Sequence, residues 1–171
     1  MGKSTKFIMA VAGVALAGIA GTGVAQASTA AHPAGSSAPS SCRPANLKTK
    51  ITPDTASSGH RHYRVTLTAA PKTSACQLAG SPSDVKFYNY NSLKGITANP
   101  YGSQGTKVTF GPGHPVHFDI QVPNASEGAT ANRVVFTLKT PGGGTIPGSQ
   151  EADGKLSVDF GTRIGPVQPG A

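Results

Sequence analysis

His62-Tyr63-Arg64-Val65-Thr66-Leu67-Thr68 alternates polar and apolar residues, and Val116-His117-Phe118-Asp119-Ile120-Gln121-Val122 repeats the pattern further along. In an extended chain successive side chains point to opposite faces, so Tyr63, Val65 and Leu67 share one face and Val116, Phe118, Ile120 and Val122 another. Each segment therefore reads as a strand with one buried and one wet face. The same alternation marks Val85 and Phe87, Val108 and Phe110, Val134, Phe136 and Leu138, and Leu156, Val158 and Phe160, with a weaker first strand over Asn46–Ile51. Turn clusters separate them: Pro53-Asp54 to Gly59, Ala79-Gly80-Ser81-Pro82, Asn99-Pro100-Tyr101-Gly102, Gly111-Pro112-Gly113, Pro123-Asn124 to Gly128 and Pro141-Gly142-Gly143-Gly144. No helical stripe of useful length occurs. About seven strands with such punctuation predict an all-β, immunoglobulin-like antiparallel β-sandwich, with a closed barrel as the alternative. The chain has no Trp, so the buried tryptophan of antibody domains is missing.

Outward from this region, the N-terminus reads as a secretory leader. Lys3 and Lys6 precede an uncharged apolar run over Phe7–Ala20, and Ala25-Gln26-Ala27 is an A-x-A cleavage site. The run is shorter than the roughly 20 residues a membrane-spanning helix needs. Residues 1–27 are expected to be a signal peptide and 28–41, rich in Ser, Ala and Pro, a flexible linker. Residues 42–171 are expected to form one β-sandwich domain. The expected location is extracellular, in the medium or on the cell wall, with no transmembrane segment after cleavage.

The whole chain carries 15 Lys and Arg against 7 Asp and Glu, and loss of Lys3 and Lys6 leaves 13 against 7, a net +6. These cations are scattered singly, without the concentrated stripe of a nucleic-acid protein. No nucleic-acid partner is expected; an anionic cell-wall polymer or an extracellular protein is. Cys42 and Cys76 are the only cysteines. In an exported chain they point to one disulfide, with two free thiols as the competing reading.

One resemblance rests on ordered pieces: Cys42-Arg43-Pro44-Ala45-Asn46-Leu47, then Gly59, the strand Tyr63–Thr68, Cys76-Gln77-Leu78-Ala79-Gly80-Ser81-Pro82, and Gly111-Pro112-Gly113 before the strand Val116–Val122. Together they resemble the actinobacterial secreted family known only as domain of unknown function 4232, over most of Cys42 to about Val167. Ala69-Ala70 and Ser81 depart from its pattern, and the second cysteine pair often carried by members is missing. The resemblance implies no activity and no functional residue.

No G-x-S-x-G elbow, H-E-x-x-H, P-loop or dinucleotide fingerprint is found. Asp54, Asp84, Asp119, Glu127, Glu151, Asp153 and Asp159 show no spacing that argues for a catalytic couple, and are expected at the solvated surface. His60 and His62, and His114 and His117, form two small clusters, but no free cysteine joins them and Arg61 and Arg64 crowd the first. No metal and no cofactor is expected. Tyr88 and Tyr90, two residues apart, and Tyr101 in the long loop Asn91–Gly105 are the expected partner contacts. The expectation is a non-catalytic binding module of the cell envelope or medium. The alternatives are a small secreted hydrolase or metal-dependent enzyme using a histidine cluster, with triads free to assemble in space, and an inhibitor of an exported enzyme presenting Asn91–Gly105.

Overall fold

The computed structural model describes residues 38–124 and 128–171. The expected signal peptide, most of the expected linker and Glu127 lie outside the described residues.

Twelve strands form among the described residues. They are β1 (Leu47–Ser57), β2 (His60–Ala69), β3 (Cys76–Ala79), β4 (Ser83–Asn89), β5 (Ser92–Leu93), β6 (Asn99–Pro100), β7 (Lys107–Phe110), β8 (Val116–Pro123), β9 (Ala129–Thr137), β10 (Gln150–Val158), β11 (Arg163–Ile164) and β12 (Gln168–Pro169). The largest sheet runs β1-β2-β8-β11-β6, with β12 also on β8; a second runs β10-β9-β4-β5, and β3 pairs with β7. Pairing between named strands is antiparallel except for β6 with β11. The architecture is an all-β sandwich.

The alternation read from the sequence sets the inner faces. Val65, Leu67, Val116, Phe118, Ile120 and Val122 of the first sheet are fully buried against Phe87, Val134, Phe136 and Val158 of the second. Phe118 and Phe136 meet edge to face, ring centroids 4.9 Å apart, an arrangement that adds about 1 kcal/mol to the area they bury. β1 and β10 close one side: Thr49 Oγ1 donates to the Glu151 carbonyl. Beside this contact Gly154 packs so tightly that a Cβ would lie 2.5 Å from the Ile51 carbonyl oxygen. The Tyr63 hydroxyl accepts from the Ser157 amide at 3.0 Å, tying β2 to β10.

β1 extends beyond the expected Asn46–Ile51, through Pro53 to Ser57. Pro53 is tolerated because β1 ends the sheet order, where a missing N–H breaks no ladder to an outer neighbour. The turn shrinks to Ser58-Gly59, with Gly59 at φ +79°. Cys42 and Cys76 are joined in a disulfide that anchors the start of the domain to β3.

Candidate functional site

The wet face of the first sheet collects polar chemistry through one irregularity. Asp54 pairs with His62 and Ser57 with His60, so β1 uses three steps where β2 uses two. This bulge reverses the parity of β1, and Ser57 joins the face that carries His60 and His62. Across the sheet, His62 faces Gln121 and Arg64 faces Asp119, which sets Asp119 diagonally beside His62.

The side chains close into a chain of hydrogen bonds. Ser57 Oγ lies 2.8 Å from His62 Nε2, and His62 Nδ1 lies 2.7 Å from Asp119 Oδ2. The same Oδ2 accepts from the Tyr101 hydroxyl at 2.6 Å. Ser57 is exposed, whereas the His62 and Asp119 side chains are only 17% and 18% exposed. Asp119 Oδ1 is enclosed and accepts from no group among the described residues. An ionised Asp119 requires the hydrogen on His62 Nδ1, which leaves Nε2 of the neutral ring to accept the Ser57 proton. Burial, and then the hydrogen bond to Asp119, push the Tyr101 phenol well above its usual range. The Arg163 guanidinium lies 5.1 Å from the centre of that ring. Nearby, Arg64 binds Asp54 through Nε at 2.9 Å and Nη2 at 2.8 Å. The Asp54 carboxyl is held below its usual range, first by the hydrogen bond from the Thr55 amide and also by Arg64, against the opposing effect of burial.

Asp119, expected at the solvated surface, is thus mostly enclosed and acts as a hub. His62 is likewise a strand residue with two side-chain partners. His60 sits beside it, ring centroids 6.5 Å apart. His117 Nδ1 lies 3.1 Å from the Gly170 carbonyl oxygen, and His114 occupies the turn after β7. Among the described residues no three His, Cys, Asp or Glu side chains gather as a metal set.

The expected contact tyrosines separate onto different sheets. Tyr88, in β4, lies under the Arg133 guanidinium, 5.2 Å from the ring centre. Tyr90 follows the strand at φ +53° and is 77% exposed. Its amide donates to Asn132 Oδ1 at 2.8 Å and its carbonyl accepts from Arg133 at 3.3 Å. Leu93, opposite Tyr88, is 54% exposed. A shallow cavity of about 290 Å³ is lined by Tyr90, Asn91, Asn132, Arg133 and Asp153. Tyr101 stands apart, after β6 of the first sheet. The Asn91–Gly105 segment crosses between the sheets, and Gln104 pins its end by donating to Tyr101 O and Ser81 Oγ, each at 2.9 Å.

The family model described as Domain of unknown function (DUF4232) matches residues 42–168. The chain belongs to this family. No curated protein and no solved structure matches the DUF4232 chain. The match takes in both sheets, the disulfide and the Ser57–His62–Asp119 chain, and the family description names no activity. No helix among the described residues of this DUF4232 protein is long and apolar enough to cross a membrane.

Ser57 and Asp119 are the two members of the hydrogen-bonded chain that sequence reasoning did not single out. Alternation placed Asp119 on a wet face, but only the β2–β8 register brings it to His62. Ser57 depends on the bulge, for which its own sequence gives no periodic signal.

Proposed function

We propose that this domain is an extracellular binding module whose contact surface is the β4–β5 turn and the neighbouring β9 strand, and that its partner is a protein. The exposure of Tyr90 in the β4–β5 turn and of Leu93 opposite Tyr88, over whose ring Arg133 lies, carries the reading. Tyrosine and arginine dominate the energetic centres of protein interfaces, because they offer large contact area together with hydrogen bonding. Charge on this sheet face is balanced, with Lys86 and Arg133 against Glu151 and Asp153, which suits a partner that is not strongly charged. The disulfide supports an oxidising setting.

Placing a photo-cross-linking phenylalanine analogue at position 90 tests it in the producing culture. The expected result is one discrete protein adduct that disappears with Leu93→Asp and is not formed from exposed position 68, which lies in β2 of the other sheet. Adducts that are equal from both positions would refute the reading.

A second reading is an electrostatic hold on an anionic wall polymer, favoured by Lys48, Lys50, Arg64 and Arg163 on the outer face of the first sheet. Binding to isolated walls would then fall steeply as salt is raised past about 0.1 M, where screening acts over about 10 Å. Salt-independent binding would exclude it.

A further inference from the structure

We infer that Ser57 is an activated nucleophile that accepts acyl groups from carboxylic esters, with His62 as its general base and Asp119 as the positioning residue for His62. This activity is separate from the proposed binding surface, which lies on the other sheet.

Three observations converge. The two hydrogen bonds, 2.8 Å from Ser57 Oγ to His62 Nε2 and 2.7 Å from His62 Nδ1 to Asp119 Oδ2, fall within the range that defines a nucleophile, its base and the group orienting the base. The burial gradient matches the roles: Ser57 is open to a substrate, while the His62–Asp119 pair is mostly enclosed. Asp119 is itself fixed from the far side, because Tyr101 donates to the same Oδ2 at 2.6 Å, as a positioning group should be. A serine merely decorating a hairpin requires none of this. The β1 bulge is also an added feature, since regular pairing would put Ser57 on the opposite face.

The chemistry balances with water as co-reactant. Ser57 Oγ attacks the ester carbonyl carbon, forming a C–O bond, while its proton passes to His62 Nε2. The tetrahedral intermediate collapses, the C–O bond to the alcohol breaks, and the imidazolium returns the proton to the departing alkoxide. Water, deprotonated by the same nitrogen, then attacks the acyl carbon; the C–O bond to Ser57 Oγ breaks, the imidazolium returns the proton to Oγ, and the carboxylic acid leaves. The backbone amides of Ser58 and Gly59 follow the nucleophile in the turn and are the donors nearest to it along the chain for the oxyanion.

The full chain is treated with a fluorophosphonate, and the adduct is located by peptide mapping. Ser58 serves as a control within the molecule, because it is the next residue and is also exposed, while the imidazole of His62 is bonded by the Ser57 hydroxyl. The expected result is one adduct on Ser57, formed at least about 100-fold faster than on Ser58 and slowed by a similar factor in His62→Gln, the range that general-base assistance supplies. Asp119→Asn should slow labelling, and Asp119→Glu should restore part of the rate, with circular dichroism unchanged in each. Release of p-nitrophenol from p-nitrophenyl acetate should be lost in Ser57→Ala, a substitution at the exposed end of β1, with circular dichroism unchanged. Equal labelling of Ser57 and Ser58, or undiminished labelling in His62→Gln, overturns the assignment.

Discussion

Replacing Tyr101 by Phe removes one oxygen and tests whether Asp119 is a structural hub. The hydroxyl donates to Asp119 Oδ2 at 2.6 Å, and the carboxylate is only 18% exposed. A hydrogen bond to a charged acceptor contributes about 1.5–3 kcal/mol, so Tyr101→Phe should lower stability at pH 7 by about 2 kcal/mol. The phenol titrates above its usual range because burial and Asp119 disfavour the phenolate. A group whose folded pKa is raised stabilises the fold fully below its unfolded pKa and progressively less above it. The difference between wild type and Tyr101→Phe should therefore be constant up to about pH 9 and shrink above about pH 10, where free tyrosine ionises. The slope is at most about 1.4 kcal/mol per pH unit, and the partial exposure of the ring makes it shallower. Urea unfolding followed by circular dichroism at pH 7, 9, 10 and 11 measures this, and titrating groups that do not touch Tyr101 cancel in the difference. Equal stabilities at pH 7, or a gap that stays constant to pH 11, would refute the hub.

The Cys42–Cys76 bond closes a loop with a sequence separation of 34, so the double variant Cys42→Ala/Cys76→Ala should lose about 4 kcal/mol by the chain-entropy relation. With a urea slope of about 2 kcal/mol/M the midpoint should fall by about 2 M; a shift below roughly a quarter of that would show that loop entropy is not the main contribution. Gly154→Ala would place a methyl group 2.5 Å from the Ile51 carbonyl oxygen, and the forced separation of β10 from β1 should cost about 2 kcal/mol. A melting temperature within a degree of wild type would mean that the two strands part freely.

The central strands were legible because burial on one side forces alternation. Tyr63, Val65 and Leu67, and Val116 through Val122, carry that pattern in full and form the middle of the first sheet. The two-residue strands β5, β6, β11 and β12 were not, since two residues contain no period to read. β3 was hidden for a different reason: Leu78 and Ala79 are both buried, so its alternation is broken at the end. On the candidate site, sequence reasoning reached Tyr88, Tyr90 and the His60/His62 cluster because aromatic and imidazole side chains announce their chemistry. It did not reach Asp119 as a partner of His62. That contact joins residues 57 positions apart, and only a known strand register could have joined them. Tyr101 is reached through its loop position, which gives no sign that its hydroxyl is turned onto Asp119.

The bulge in β1 works like a splice between two counting frames. Up to Asp54 the faces of β1 are counted from the sheet, and from Ser57 they are counted from the turn. Deleting one residue between Asp54 and Ser57 would merge the frames and leave Asp54 opposite His62 and Ser57 opposite His60 in an unbroken ladder. The hydroxyl would keep its place beside the imidazole, and only the local kink and twist would be lost. The extra residue thus lets the sheet-facing part of β1 and its turn-facing end be spelled independently of each other.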